Sequence, residues 1–415
     1  MELSAPLLQL AVRALDLTLE FKRPADAVLS AFFRENRALG ARDRAFVAEA
    51  VFGVLRRYRY LCLVTPSVEP RVLIVAWLLK LRGVSGAVLG KFVKSELIAH
   101  IRDADTRNLP LPVAAELPDW VVDRLRTSQS EAEVLALGRA LQQPAPLDLR
   151  VNAMKMDRDA ALARLRTDGL TAEATPYSPW GVRLQEHPAI NRHPLFLDGS
   201  LEVQDEGSQV LALLVGARRG EMVGDFCAGA GGKTLALGAA MASTGRLYAF
   251  DVAEKRLANL KPRLARSGLS NVMPQRIASE NDVRVKRLAG KLDRVLVDAP
   301  CSGLGTLRRN PDLKFRQSPA SVEALTRQQA SILRAAARLV KPGGRLVYAT
   351  CSILAEENEA IVESLLAEGG FELSPAGAIL AQHRIPLDMG DYLKLSPAVH
   401  ATDGFFAAAL TRKTA

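Results

Sequence analysis

The chain has 415 residues, of which 48% are hydrophobic and 24% charged, so it has the composition of a soluble globular protein and the length for two or three domains. Its formal net charge of +10 favours an acidic partner, most commonly nucleic acid. A longest apolar run of only Val72 to Leu79 excludes a membrane span, and four scattered cysteines exclude a disulfide framework or a C-x-x-C metal site, so we expect a cytoplasmic protein with reduced thiols and no metal.

The first hundred residues are predicted to form a helical domain, assigned to residues 1–108. Residues 1–110 contain 17 Lys and Arg against 11 Asp and Glu, which gives this quarter of the chain +6 of the net charge. A basic binding surface and a solvated arginine-rich surface explain this excess equally well. Apolar residues recur at helical spacing in Leu7–Leu19, Ala25–Phe33, Ala45–Leu61 and Leu73–Leu81.

Residues 109–146 are predicted to be a linker followed by a helix. The proline-containing stretch Leu109–Pro118 disfavours both helix and strand pairing, whereas Trp120–Leu141 has a helical pattern. The pattern changes at Leu147, where short strands flank a helix, and this predicts a small α+β module over residues 147–206. Its expected elements are a strand at 147–152, a helix at Arg158–Asp168 and a strand at Gly181–Leu184.

Residues 207–415 alternate short apolar strands with longer helices, which predicts an α/β domain with a doubly wound, Rossmann-like parallel sheet. The expected strands are Met222–Phe226, Gly245–Asp251, Val272–Ile277, Asp293–Asp298 and Arg345–Thr350. The expected helices are Lys233–Met241, Glu254–Ser267, Ser321–Leu339 and Glu356–Ala367. Two further segments, Phe371–Leu373 and Gly404–Thr411, are expected to add a hairpin.

A glycine-rich loop joins the first of these strands to the next helix, in the segment DFCAGAGGKT (225–234). A phosphate-binding P-loop requires glycine at the position of Cys227, and a dinucleotide fingerprint requires glycine at the position of Thr234. Neither alternative fits fully, and the remaining pattern, Asp-x-x-x-Gly-x-Gly, is the loop expected for S-adenosylmethionine. Asp251 ends the next strand, where its carboxylate can accept hydrogen bonds from ribose hydroxyls or cap the following helix.

Two cysteines follow directly after predicted strands, Cys301 in VDAPCSG and Cys351 in YATCS. Ligands of open α/β sheets bind beyond the carboxyl ends of the strands, so both sulfurs are candidates for the cofactor cleft. Carbon 5 of cytosine is a poor nucleophile until a thiolate adds to carbon 6, and such chemistry also requires an acid and a base. Asp298 is a candidate for the contact with the ring edge, while Cys62 and Cys227 fit a packing role.

The two cysteine segments resemble the signature motifs of a known family. DAPCSGLGTLRRNPDLKF (298–315) and YATCS (348–352) are similar to the two motifs of the Sun-type RNA cytosine-5 methyltransferases. VQDEGSQ (203–209), the glycine loop and DGFFAAAL (403–410) extend the similarity over most of residues 147–415. The resemblance implies that Cys351 is the attacking thiolate and that Cys301 assists release from the RNA.

The same resemblance implies a site for S-adenosylmethionine. Two positions depart from the common pattern: Ala230 stands where many members have proline, and SENDVR around Asp282 departs from the usual acidic-glycine pattern. The implied cofactor residues are Cys227, Ala228, Gly229, Ala230, Gly231, Gly232, Lys233, Asp251, Asp282 and Asp298.

A second resemblance concerns the N-terminal segment GARDRAFVAEAVFGVLRRYRYL (40–61), which is similar to the NusB-like RNA-binding domain of ribosomal members of that family. It favours the basic-surface interpretation of the helical domain. Candidate RNA contacts are Arg56, Arg57 and Arg59 in this segment and Arg308, Arg309 and Lys314 after Cys301.

These observations predict an RNA (cytosine-5-)-methyltransferase that is a monomer, acts on structured RNA, namely 16S ribosomal RNA, and has no membrane association. One alternative keeps the chemistry and replaces the substrate with transfer RNA. Another is a non-catalytic RNA-binding factor in ribosome assembly that has only inherited the fold. The combination of Cys351, Cys301, Asp298 and the glycine loop argues against the latter, because binding alone requires none of them.

Overall fold

The structure is a computed structural model that describes residues 3–414, which divide into two compact units. The helical unit comprises the chain up to Pro144 together with Thr306–Pro319. The sheet unit comprises Ala145–Gly305 and the chain from Ala320 onward. The segment between Cys301 and the next long helix therefore passes through the helical unit, which the sequence did not predict.

The elements of the described residues follow in chain order. The helices are α1 (Ala5–Leu19), α2 (Ala25–Glu35), α3 (Ala41–Arg56), α4 (Tyr58–Val64), α5 (Pro70–Lys80), α6 (Gly86–Leu89), α7 (Ser95–Asp103), α8 (Leu111–Ala114), α9 (Asp119–Leu125), α10 (Glu131–Leu141), α11 (Arg158–Thr167), α12 (Pro194–Leu197), α13 (Glu206–Val215), α14 (Gly232–Ala240), α15 (Glu254–Ser267), α16 (Val283–Lys286), α17 (Leu313–Arg316), α18 (Pro319–Ala337), α19 (Glu359–Ala367), α20 (Ala376–Gln382) and α21 (Pro397–His400). The strands are β1 (Leu147–Val151), β2 (Ala172–Ala174), β3 (Gly181–Leu184), β4 (Leu201–Val203), β5 (Met222–Asp225), β6 (Arg246–Asp251), β7 (Val272–Arg276), β8 (Leu292–Asp298), β9 (Val340–Thr350), β10 (Phe371–Ser374), β11 (Tyr392–Leu395) and β12 (Phe405–Arg412). Short 3-10 turns lie at Ile190–Arg192, Leu304–Thr306 and Ala355–Glu357.

The helical unit begins with the helices expected from the spacing of apolar residues, which form one hydrophobic core across α1 to α7. The segment 45–61, predicted as one helix, is divided at Arg57 into α3 and α4. The segment predicted as one helix over 120–141 is likewise divided into α9 and α10. Ser130 ends that break with a capping box, in which its backbone N–H donates to Glu133 at 2.8 Å.

The segment predicted as a linker, residues 109–118, is instead packed into the helical unit. It contains the short helix α8, and Ala115 and Glu116 are each only 1% exposed. Gly138 of α10 approaches this segment so closely that a β-carbon there would lie 2.4 Å from the Ala115 carbonyl oxygen. The glycine thus permits a backbone contact that an apolar pattern alone does not reveal.

Glu116 organises the polar interior of the helical unit. Its carboxylate accepts the backbone N–H groups of Arg59 at 3.1 Å and Tyr60 at 2.9 Å, at the start of α4. It also forms ion pairs of 3.5 Å with Arg57 and with Lys314. A carboxylate at a helix N-terminus is favoured by the helix dipole, and here it also neutralises a buried lysine.

The small α+β module, predicted over residues 147–206, contains a four-stranded antiparallel sheet in the order β2-β3-β1-β4. In the register, Leu149 lies opposite Val182 on one side and Val203 on the other. Helix α11 covers one face, because Ala161, Leu162 and Leu165 pack into the same core as the strands. The strands β2 and β4 were not predicted, since three residues are too few for an alternating pattern.

The large sheet of the sheet unit has the order β10-β12-β9-β8-β5-β6-β7. The predicted strands form the parallel part, from β9 to β7, and β12 joins it antiparallel to β9. The two segments predicted to form a hairpin do pair with each other, as β10 and β12, but they are not joined directly. β11 lies between them in the chain and pairs with β12 along the same edge as β10. β5 lies between β6 and β8, so its carboxyl end is the switch point at which open sheets bind ligands.

Candidate active site

A cavity of about 580 Å³ opens at the carboxyl ends of β5, β6, β8 and β9. Its size lies in the range usual for small-molecule sites. Most of the residues predicted for the site lie around it. The lining residues are Val203, Gln204, Ser208, Phe226, Cys227, Ala228, Gly229, Ala230, Gly232, Lys233, Asp251, Val252, Arg256, Arg263, Ile277, Glu280, Asp298, Ala299, Pro300, Cys301, Gln328, Ile332 and Cys351.

The glycine loop between β5 and α14 needs its glycines for two different reasons. Gly229 has a φ of +57° and a β-carbon built on it would meet nothing within 4 Å, so its backbone borders open space in the cavity. Gly231 has a φ of +82°, and a β-carbon there would lie 2.1 Å from Leu260 of α15. The first glycine leaves room for a ligand, and the second allows α15 to pack against the loop.

Asp225 ends β5 below the loop and is 1% exposed. One carboxylate oxygen accepts the Thr234 hydroxyl at 2.6 Å, while the other is buried and has no hydrogen-bond partner. Burial raises the pKa of Asp225 to about 7, and the nearby charges of Asp298 and Asp251 act in the same direction. The bond to Thr234 ties the end of β5 to the first turn of α14.

Asp251 ends β6, and both of its carboxylate oxygens accept backbone N–H groups. One oxygen accepts from Gly229 at 2.8 Å and the other from Ala253, just before α15, at 2.7 Å. The helix-capping interpretation and the ligand interpretation are therefore compatible, because the same side chain lines the cavity. The bond to Gly229 holds the glycine loop against the end of β6.

Two arginines hold carbonyl groups of the glycine loop, a feature that the sequence did not predict. Arg150 of β1 donates to the Gly232 carbonyl at 2.6 Å and to the side chain of Gln204. Arg263 of α15 donates to the Ala230 carbonyl at 2.7 Å and pairs with Glu202 at 2.9 Å. Burial lowers the pKa of Arg150 to about 10, which still leaves it charged at neutral pH.

The two cysteines meet at the ends of neighbouring parallel strands. Cys301 follows β8, Cys351 follows β9, and their sulfur atoms lie 3.4 Å apart. The hydrogen bond between Cys301 and Cys351 raises the pKa of the Cys301 thiol well above its usual value, and burial adds to the rise. Cys301 therefore holds its proton more strongly than an exposed thiol does.

Lys233 and Asp298 form an ion pair of 2.7 Å beside the two sulfurs. Burial by itself lowers the pKa of Lys233, but the charge of Asp298 and the hydrogen bond to it raise that pKa above its usual value. Negative charge on Cys351 contributes to the same rise.

The other two cysteines lie in hydrophobic surroundings, as expected. Cys62 packs against the core of the helical unit, and burial raises the pKa of its thiol. Cys227 packs against the core beneath the glycine loop, and burial likewise raises the pKa of its thiol. Neither environment favours a nucleophilic thiolate, although Cys227 borders the cavity.

Asp282 does not line the cavity, contrary to its expected cofactor role. Its carboxylate accepts the backbone N–H groups of Ala278 and Arg284, each at 2.9 Å, and so caps the short helix α16. Glu280 of the same loop lines the cavity instead and accepts the hydroxyl of Ser331 at 2.6 Å. Of the two acidic residues in this loop, only Glu280 borders the cavity.

The six basic residues predicted to contact RNA all belong to the helical unit, and the structure contradicts the prediction for two of them. The Arg308 and Lys314 side chains are buried, which excludes a direct phosphate contact in this structure. Burial lowers the pKa of Lys314 to about 8. The Arg56 guanidinium donates to the Arg308 carbonyl at 3.3 Å.

The other four of these six residues, including the half-buried Arg56, stay candidates for RNA contact. Arg57 pairs with Glu116 and Arg59 with Asp119, and their side chains are 31% and 23% exposed. Arg309 is half-buried. The contacts among the described residues do not show whether these arginine side chains bind RNA.

Among residues 3–414, no helix is long and apolar enough to cross a membrane. Over the same range, no group of three or more His, Cys, Asp and Glu side chains is arranged to hold a metal ion.

Comparison with known proteins gives a consistent result for the whole chain. Residues 212–411 match the family described as 16S rRNA methyltransferase RsmB/F, and residues 117–191 match the ferredoxin-like domain of the same group. The probable ribosomal RNA small subunit methyltransferase B of Synechocystis sp. is 32% identical over an alignment of 421 residues, gaps included, which covers 91% of this chain and 93% of that protein. The ribosomal RNA small subunit methyltransferase B of Escherichia coli is 33% identical over 339 residues, which cover 80% and 74%. The crystal structure of PH0851 has the same fold, with a TM-score of 0.82 at 24% identity over 99% of this chain and 100% of that one.

Proposed function

The chain belongs to the RsmB/F family of 16S rRNA methyltransferases, and we propose that it methylates carbon 5 of a cytosine in 16S ribosomal RNA through a covalent bond between Cys351 and carbon 6. The observation that carries the proposal is the pair of cysteine sulfurs 3.4 Å apart, at the edge of a cavity lined by the glycine loop. RNA binding alone requires neither thiol.

The residues around the cavity fit S-adenosylmethionine, which supplies an electrophilic methyl group when bound. The open space at Gly229 allows a ligand to approach the backbone of the glycine loop closely. The carboxylate of Asp251 at the end of β6 is suited to the ribose hydroxyls. Arg150 and Arg263, which hold the loop carbonyls, keep this arrangement preorganised.

Cys351 begins the reaction as the nucleophile. Its thiolate electron pair forms a bond to carbon 6, and the electrons of the ring double bond move onto carbon 5, which then takes up the methyl group. The ammonium group of Lys233 supplies a positive charge close to the Cys351 sulfur. Asp298, held by Lys233 at 2.7 Å, is suited to accept a hydrogen bond from the amino group at the edge of the cytosine ring.

Cys301 completes the reaction by accepting the proton from carbon 5. The electron pair of the carbon–hydrogen bond re-forms the ring double bond, and the pair of the carbon 6–sulfur bond returns to Cys351. For this step Cys301 first releases its own thiol proton to solvent through the open cavity. The thiolate so formed is a strong base because the pKa of Cys301 is raised. The assignment of the two roles also rests on the family to which the chain belongs.

The target cytosine must be unstacked, since both faces of its ring are used. Ribosomal and transfer RNA both contain such cytosines, and the similarity of this chain to small subunit methyltransferases favours the former. We expect that labelled methyl groups enter an unmodified 16S transcript and stay at background with transfer RNA transcripts. Cys351→Ala protein is the control for background. Preferential labelling of transfer RNA would show that transfer RNA, and not 16S RNA, is the substrate. No labelling of any RNA would show that the chain is not an RNA methyltransferase.

A further inference from the structure

A buried carboxylate joins the two segments that carry the active-site cysteines. Glu357 lies in the 3-10 turn after β9 and has 0% of its surface exposed. Ser302 and Ser352, each the residue directly after a cysteine, both donate their hydroxyl groups to the same carboxylate oxygen. Glu357 therefore connects the chain after Cys301 with the chain after Cys351.

The other oxygen of Glu357 anchors the first of these segments more firmly. It accepts the backbone N–H of Ser302 at 2.8 Å and the side-chain amide of Gln329 at 3.0 Å. The same Gln329 amide donates to the Pro300 carbonyl at 2.9 Å, so hydrogen bonds hold the backbone on both sides of Cys301. Gln329, Ser302 and Ser352 are themselves buried.

The position of Glu357 is fixed independently. The hydroxyl of Tyr348 in β9 donates to the Glu357 carbonyl at 2.6 Å. The neighbouring Asn358 donates to the Ser352 carbonyl at 3.1 Å. A shift of either cysteine segment would leave a buried carboxylate oxygen with fewer donors, which is costly in a site of low dielectric.

We propose that Glu357 is a positioning residue that sets the spacing of the Cys301 and Cys351 sulfurs and thereby the rate of release from methylated RNA. Only the kinetic part of this inference, the rate of release from RNA, rests on the proposed function. In that step the carbon 5 proton passes to Cys301 while the carbon 6–sulfur electron pair returns to Cys351. Both transfers require the two sulfur atoms to reach the same cytosine ring, with a defined distance between them.

Two substitutions separate the geometry of Glu357 from its charge. Glu357→Asp keeps the charge and withdraws the carboxylate by one methylene from both serines. Glu357→Gln keeps the length of the side chain. Its amide oxygen can accept the hydrogen bonds from the Ser302 backbone and from Gln329. Its amide nitrogen can donate to the two serine hydroxyl groups after these rotate. The matched control is Glu363→Gln, an exposed carboxylate on α19.

The first measurement is the capture of phenylarsine oxide, which bridges two neighbouring thiols, by the full-length protein without RNA. We expect tight capture by the wild type, Glu357→Gln and Glu363→Gln, and loss of capture in Glu357→Asp, with Cys301→Ala as the reference for no bridging. This measurement does not depend on the reaction, so its result stands whether or not the proposed function does.

The second measurement is the fraction of protein held on 16S RNA after denaturation, together with the rate of methyl transfer. We expect Glu357→Asp to accumulate the adduct and to turn over about ten- to a hundredfold more slowly, with an unchanged KM for the cofactor. Glu357→Gln should behave as the wild type. The proposal is overturned by wild-type capture and turnover in Glu357→Asp, by equal defects in both variants, or by a loss of cofactor binding that parallels the loss of turnover. If Glu357→Asp does not fold, Ser352→Ala is measured instead and must accumulate the adduct.

Discussion

Cys351→Ala is expected to abolish methyl transfer, by about a thousandfold or more, and to form no covalent complex with RNA. The reason is that carbon 5 of cytosine becomes nucleophilic only when sulfur has added to carbon 6. Cofactor binding should persist, because the glycine loop and Asp251 do not depend on this side chain. The measurements are labelled methyl transfer to 16S RNA and equilibrium binding of S-adenosylmethionine.

The matched control for this variant is Cys62→Ala, which removes a thiol in the helical unit and should retain methyl transfer. Methyl transfer by Cys351→Ala at a rate near that of the wild type would contradict the role of Cys351. Loss of cofactor binding in that variant would instead point to a damaged site, so both measurements are needed on the same preparation.

Cys301→Ala is expected to trap the protein on its RNA. Attack by Cys351 and methyl uptake at carbon 5 do not require Cys301, but the carbon 5 proton then has no acceptor, and the bond between sulfur and carbon 6 persists. The adduct should withstand denaturation and appear as a shifted band that contains both protein and labelled RNA. Little wild-type protein should be found in this band, because release completes each turnover.

The double variant Cys301→Ala/Cys351→Ala is the control for the adduct and should give no shifted band. An adduct with Cys351→Ala but none with Cys301→Ala would reverse the two roles. The 3.4 Å between the sulfurs makes such a reversal a real alternative on geometry alone, so the experiment decides between two defined mechanisms.

The parallel sheet and the meeting of the two cysteines were predictable from the sequence. Apolar strands that alternate with helices indicate a parallel sheet, and the carboxyl ends of its strands lie along one edge. Cys301 and Cys351 each follow such a strand, and the structure makes β8 and β9 direct neighbours. The glycine loop was recognisable for the same reason, since it follows β5 and begins α14.

Contacts between distant segments were not predictable. Lys314 is followed by an aromatic residue and preceded by charged ones, which suggests an exposed basic loop; its burial depends on Glu116, nearly two hundred residues earlier. The role of Glu357 likewise depends on Ser302 and Gln329, which precede it in separate segments. Such ion pairs and hydrogen bonds leave no periodic signal in the sequence.

Short edge elements were missed for a different reason. β11 has only four residues, Tyr392–Leu395, and pairs with part of β12 at the edge of the sheet. Its alternation is too short to distinguish from a loop, and the helix α20 between β10 and β11 hides the link between them. The sequence therefore predicted pairing in this region but with the wrong connection.

The most direct test of the account is the identity of the modified nucleoside. 16S RNA labelled by the protein with S-adenosylmethionine would be digested to nucleosides, and the labelled product identified by chromatography and mass spectrometry. The account predicts that the label is in 5-methylcytidine, that it is lost with Cys351→Ala, and that it stays on protein-bound RNA with Cys301→Ala. A label in N4-methylcytidine would contradict it, because methylation of the amino group requires no sulfur at carbon 6. A label in a nucleoside other than cytidine would contradict the assignment of cytosine as the target base.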